Sequence, residues 1–284
     1  MTDHKIAILT DSGCDIPAGL RKLHNIYQLP LSLIFKDALR RDSDISAAEL
    51  YRLMETEIPT TTLPSGEEVG QMLRRIRADG YDKVLAVSIS SRLSGTCNLL
   101  RLHERSQEGL EMAVVDSRNI SIGAGMLALK AARYIAQGAP WQGLKERLMA
   151  EASNSKVFFC LKTLEYLRQG GRIGHVAALL GSALKLKPII TCDAEGVYTT
   201  EAKVIGYQQA LQRLGECAKH FAGSAQISLA IMHGAAEAEA QQVKEKVLAL
   251  LPQATVIAEG QISPALAVHT GPGLVGVGVI KEQC

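Results

Sequence analysis

The chain has 284 residues, enough for about two domains with their own cores, and 31 Lys+Arg against 29 Asp+Glu leave a net charge of +2. That near-cancellation excludes the strong positive field behind non-specific nucleic-acid binding, so no DNA or RNA partner is expected. Apolar runs such as Val157 to Leu161 fall far short of the roughly 20 residues of a membrane span, and the polar start from Met1 to Lys5 is no signal peptide, which predicts a cytoplasmic protein without a membrane span.

Short β-branched runs predict buried strands at Ile6 to Thr10, Tyr27 to Phe35, Val84 to Ile89, Met112 to Asp116 and Val157 to Leu161. Amphipathic patterns between them predict helices over Ser46 to Glu57, Glu67 to Asp79, Thr96 to Ser106 and Gly123 to Gln137, with Asp79-Gly80 and Gln137-Gly138-Ala139-Pro140 as stops. This alternation implies an N-terminal, largely parallel sheet flanked by helices. After a helix over Trp141 to Ser153 the rhythm changes. Runs at Ile189 to Cys192, Val197 to Thr200 and Ala202 to Ile205 predict hairpins, helped by the turn Asp193 to Gly196. Strands at Ile227 to His233, Ala254 to Glu259 and Leu274 to Ile280 surround a helix over Glu237 to Leu251. The expected architecture is α/β in two domains, residues 1–153 and a C-terminal mixed-sheet domain of residues 154–284, with a ligand cleft between them.

Five segments carry candidate chemistry. The first strand runs into Thr10-Asp11-Ser12-Gly13-Cys14-Asp15-Ile16-Pro17, and the end of a parallel strand is where open α/β sheets bind ligands; Asp11 and Ser12 are candidates, while Asp15 also reads as a helix N-cap. Pro59 to Ser65 is a hydroxyl-rich loop stiffened by prolines, in which Ser65 caps the next helix and Thr61 and Thr62 are left to meet an anion. Ser90 to Thr96 ends in Ser94, Gly95 and Thr96 before a helix, where N–H groups and hydroxyls suit a carboxylate or phosphate. In Gly170-Gly171-Arg172 a tight turn at Gly171 aims Arg172 as an anion clamp, or leaves it solvated on a surface loop. His269, before Thr270-Gly271-Pro272-Gly273, stands at a strand end before a turn and serves either structure or chemistry.

Cys14, Cys97, Cys160, Cys192, Cys217 and Cys284 show no short ligand spacing and read as reduced, mostly core thiols. With no HExxH or CxxC cluster no metal is expected. No P-loop, dinucleotide GxGxxG or GxSxG elbow is present, so no cofactor is expected. Gly123-Ala124-Gly125 reads as a site of close helix packing.

Taken in order, Ile8-Leu9-Thr10-Asp11-Ser12, Pro59 to Ser65, Leu93-Ser94-Gly95-Thr96, Val115-Asp116-Ser117, Leu164 to Ile173, Lys187-Pro188-Ile189 and His269 to Gly273 resemble the DegV family over nearly the whole chain. The resemblance implies a two-domain α/β protein holding one long-chain fatty acid between its domains. In some members it implies service as the non-catalytic subunit of a fatty acid kinase, whose separate ATP-dependent subunit phosphorylates the bound carboxylate. Carried over by position, the carboxylate-contacting hydroxyls fall on Thr61 and Ser94, the GGRI arginine on Arg172 and the HTGPG histidine on His269. Two departures stand out: Ile205 replaces a frequent arginine, which bears on the kinase partner more than on lipid binding, and Leu63 replaces a frequent glutamine. The competing reading is a stand-alone hydrolase or phosphoryl-transfer enzyme using Asp11, Ser94 and His269. It requires a nucleophile paired with a base, and no recognised nucleophile motif supplies one.

Overall fold

The structure, a computed structural model, describes residues 5–104, 110–181 and 185–282. The first half contains β1 (Ile6–Asp11), α1 (Ala18–Leu23), β2 (Ile26–Leu29), β3 (Ser32–Ile34), β4 (Leu39–Arg41), α2 (Ala47–Met54), β5 (Thr60–Thr62), α3 (Gly66–Ala78), β6 (Lys83–Ser88), α4 (Thr96–Glu104), β7 (Glu111–Asp116), α5 (Ile122–Ala136) and α6 (Leu144–Glu151). The second contains β8 (Ser155–Cys160), α7 (Glu165–Gln169), β9 (Leu186–Cys192), β10 (Tyr198–Ile205), α8 (Tyr207–Ala222), β11 (Ile227–Gly234), α9 (Glu237–Leu250), β12 (Thr255–Gln261), α10 (Pro264–Thr270) and β13 (Leu274–Lys281).

The mixed α/β class read from the sequence is the one observed. A four-stranded parallel sheet has the order β2-β1-β6-β7, and a six-stranded mixed sheet the order β10-β9-β8-β13-β11-β12. Only β11 and β12 run parallel among the pairs of the second sheet. β1 and β6, covered on both faces, are apolar nearly throughout, as inner parallel strands require. Helix α5 lies between the sheets and packs on β1 and β6 as well as β8 and β13. Twelve of its 15 residues are buried. The expected amphipathic helix is therefore apolar almost all round, because it has sheet on both sides. A Cβ at Gly125 would strike the Cys14 carbonyl oxygen, so the close packing read into Gly123-Ala124-Gly125 is real.

Several expectations are corrected. The run Tyr27 to Phe35 is two strands in different sheets: Pro30 has no N–H to extend the ladder, and the Leu31 N–H donates to Ser12 Oγ instead. The threonine loop is in part a strand, β5, which joins β3 and β4 in a small antiparallel sheet absent from the sequence reading. The hairpin across the turn Asp193 to Gly196 is present as β9 and β10, but Tyr198–Ile205 is one strand with an irregularity between Thr200 and Ala202, not two separate strands. Asp15 is not an N-cap: at φ 49° it closes the 3-10 turn Ser12–Cys14 from its C-terminal side, and α1 begins only after Pro17. His269 lies on α10 and not at a strand end. A helix does follow the Asp15 loop, as α1, whereas α7, α8 and α10 have no counterpart among the helices expected from the sequence. By contrast Ser65 does cap α3, in a reciprocal box with Glu68. Five cysteines are buried free thiols. Met1 to His4, Arg105, Ser106 and Cys284, which the sequence reading touched, lie outside the described residues.

A buried ion pair fastens α5 to its surroundings. Lys130 Nζ donates to Glu151 Oε2 at 2.8 Å and to the Lys281 carbonyl at 2.9 Å, and Tyr134 and Asn154 satisfy the same carboxylate. Removing one member strands a buried charge, which costs about 3–5 kcal/mol, whereas replacing both by apolar groups is near neutral. Lys130→Met is expected to lose roughly that much in urea unfolding, and Lys130→Met/Glu151→Leu to recover most of it.

Candidate functional site

A chamber of about 130 Å³ opens between the parallel sheet, the mixed sheet, β5 and α10. A single water needs about 10–15 Å³ on this measure, so the chamber is a ligand-sized space and not a packing fault. Its body is apolar, with Leu31, Ile89 and Ile120 on one side and Val157, Phe159 and Met232 on the other. β1 pairs with β2 on one side and β6 on the other, so the strand order reverses between β1 and β6, and the β6–α4 loop lines this space with Leu93, Ser94 and Gly95, as open parallel sheets do at such a point.

The polar lining is concentrated in linked contacts. Thr61 Oγ1 on β5 lies 2.7 Å from His269 Nε2 on α10. Gly170 packs directly on the imidazole, since a Cβ there would strike His269 Nδ1. Arg172 donates to the carbonyls of Gly170 at 2.7 Å and Leu93 at 3.4 Å. Ser94 follows Leu93, its Oγ 2.9 Å from Thr96 Oγ1. Thr61, Ser94, Gly95, Arg172 and His269 all line the chamber, and so does Thr62. The rest of the sequence-selected set is elsewhere. Thr96 is buried behind Ser94, and Gly171 supplies a φ of 69° to the turn that aims Arg172. Ser12 Oγ accepts from the Leu31 N–H. Asp11 Oδ2 accepts from Ser88 Oγ and the Ile89 N–H below the chamber, with burial raising its carboxyl to about 6.

Among the described residues no carboxylate pairs with Arg172. An unneutralised guanidinium thus borders an apolar space. Burial first, and the Arg172 charge second, lower the His269 imidazole to about 4, so it is neutral at pH 7. Its Nδ1 has no hydrogen-bond partner among the described residues. A neutral ring with its proton on Nε2 donates to Thr61 and leaves the threonine O–H for a ligand oxygen. Asp11, Ser94 and His269 do not form a relay: the histidine faces Thr61, and the aspartate faces Ser88. No group of three or more His, Cys, Asp or Glu fit for a metal occurs among the described residues, and no helix there is long and apolar enough to cross a membrane.

Sequence reasoning missed Tyr198, Ser121 and the apolar walls. Those side chains read as core in sequence, because a chamber wall and a core are both apolar. The Gly170 contact had a signal in the paired glycines, though not one that named His269 as its reason.

Fold and site together define an α/β protein with a largely apolar chamber and a small, cationic, hydroxyl-bearing end. The family model described as uncharacterised protein, DegV family, matches residues 5–282, and the chain belongs to that family. A DegV domain-containing protein of Clostridium acetobutylicum is 37% identical over 98% of this chain and 99% of its own, and one of Clostridium perfringens 38% identical with the same coverage. Among solved structures, the chain is similar to the fatty-acid-binding DegV family protein from Thermus thermophilus, with a TM-score of 0.90, 29% identity and coverage of 98% of this chain and 100% of the other. It is likewise similar to DegV, a fatty acid binding protein from Bacillus subtilis, with a TM-score of 0.88, 26% identity and coverage of 98% and 100%.

The depressed His269 has a measurable consequence. Its folded pKa lies below the unfolded value of 6.5, so the folded chain binds fewer protons between the two. The stability it contributes is present above pH 6.5 and is lost as pH falls toward 4. Imidazole NMR is expected to show one histidine uncharged down to about pH 5, and His269→Gln to lose less stability than the parent between pH 6.5 and 4.5.

Proposed function

We propose that the chain binds one long-chain fatty acid in the chamber, tail along the apolar walls and carboxylate on Thr61, Ser94 and Arg172, with His269 acting through Thr61, whose hydroxyl it orients. The observation that carries this reading is the unpaired Arg172 beside two hydroxyls at the edge of an otherwise apolar space. A tail of ~15 methylenes gives on the order of 12 kcal/mol of gross burial at ~0.8 each, before the costs of association and ordering. Affinity comes from the tail and orientation from the head. An ionised carboxylate is costly to bury unless hydrogen-bonded, and charge-assisted bonds from the guanidinium and the hydroxyls offset that cost. The fatty-acid binding described for the Thermus thermophilus and Bacillus subtilis proteins supports the ligand class.

The same reading gives the chain no chemistry of its own. In it, two domains of residues 1–153 and 154–284 hold the lipid in the cytoplasm, where buried free thiols are suited to a reducing compartment. An ATP-dependent kinase subunit then phosphorylates the presented carboxylate. The alternative hydrolase reading is disfavoured by Asp11, whose carboxylate is occupied away from His269.

Mass spectrometry of an organic-solvent extract of the purified protein is expected to find stoichiometric fatty acid of myristate to stearate length; trace lipid only would sink the carrier reading. Thr61→Ala or Ser94→Ala should each keep the fold and weaken retention by one charge-assisted bond, about 1.5–3 kcal/mol. With ATP, magnesium and fatty acid the chain alone should form no acyl phosphate. A cognate kinase subunit should restore formation, with Arg172→Ala lowering the yield more than it lowers binding, because a cation there also stabilises growing phosphoryl charge.

A further inference from the structure

Strand β13 carries Gly276 and Gly278 two residues apart, hence on one face. Glycine weakens a strand interior, so each needs a physical reason. For Gly278 it is α5: a Cβ there would lie 2.8 Å from Ile122 Cγ2 and 3.1 Å from the Met126 sulfur. Gly276 has no such reason. Its φ lies outside the left-handed region, and a Cβ would meet Phe159 Cβ at 3.4 Å, the Phe158 oxygen at 3.6 Å and Leu274 Cδ2 at 3.9 Å, all ordinary contacts.

What Gly276 does have is the chamber, which it lines. Its register partners on either side, Phe159 of β8 and Met232 of β11, line it too. Across the three strands the floor is bulky, empty, bulky: a notch one side chain deep. Along β13 the notch lies about 7 Å beyond Leu274, away from α10 and its His269. At the next row on that face, above Gly278, Ile122 and Met126 fill the space.

We infer that Gly276 is a specificity-determining residue: the side chain it lacks leaves the room taken by the last carbons of the acyl tail, and so sets the longest chain the protein accepts. The inference rests on the fatty-acid reading above and adds to it a residue that measures length. An alanine fits without moving its neighbours and fills part of the notch. A valine fills most of it. Neither touches the head-group side chains, so short chains should be held as before.

The test uses delipidated full-length protein and the affinities of laurate, myristate, palmitate and stearate for the parent, Gly276→Ala and Gly276→Val. For Gly276→Val, palmitate and stearate are expected to bind about tenfold or more weakly, the loss of two buried methylenes at ~0.8 kcal/mol each with 1.4 kcal/mol per tenfold. Laurate should stay within about threefold, and Gly276→Ala should shift the profile in the same direction by less. Gly276→Ala, which meets only ordinary contacts, keeps the test decisive should the valine variant not fold. Parent protein that binds none of the four sinks the fatty-acid reading and this inference with it. Parent binding with an unchanged length profile in the variants, or an equal loss for all four acids, sinks the inference alone.

Discussion

Because α5 is enclosed by sheet on both sides, nearly every residue of it must be apolar or small, and the two sheets are held at a separation that one helix fixes. The chamber exists on those terms: its walls include the residues just ahead of α5 and the facing strands of the mixed sheet. Where α5 needs to come close it meets glycine, as at Gly125 against the Cys14 carbonyl. Where the helix carries a charge it is answered at once, Lys130 by Glu151 and by a carbonyl of β13. A second tie runs through Asp15, whose carboxylate accepts from Ser121 Oγ at the head of α5 and from the Ser263 N–H ahead of α10. The helix that brings His269 is thereby located relative to the helix that spaces the sheets.

The polar end of the chamber shows how neighbouring groups divide a task. No carboxylate among the described residues pairs with Arg172, and burial, with the guanidinium second, keeps His269 neutral. Had both been cationic, their repulsion in a poorly solvated place would have been unfavourable. One fixed charge with neutral donors around it suits an anion that must be held without becoming permanently locked in place.

Most of the sheet framework was legible in the sequence because buried parallel strands write themselves as continuous apolar runs; Ile6 to Asp11 and Lys83 to Ser88 are of this kind. Ser65 was legible for a similar reason, since a cap and its Glu68 partner are local. What escaped was decided by distant partners. Thr60 to Thr62 form a strand because Ser32 to Ile34 pass alongside, and nothing within the threonines says so. Asp15 looked like a cap because its partners, Ser121 and Ser263, are far away in the chain. The motif resemblance named Thr61, Ser94, Arg172 and His269, but the contact that joins Thr61 to His269 spans 208 residues and is written only in the fold. Asp11 and Ser12 sat at the expected strand end, yet backbone donors had already claimed them.

The order of the mixed sheet has a consequence for biosynthesis. β13 is the last of its strands in the chain and yet lies between β8 and β11. While a ribosome is still making residues before 274, β10-β9-β8 and β11-β12 are two separate ribbons, each with an open edge. Such edges attract strands from other chains, and pairings this distant in sequence form slowly. The nascent polypeptide therefore carries a vacant slot at the middle of the sheet, and only the arrival of Leu274–Lys281 closes it.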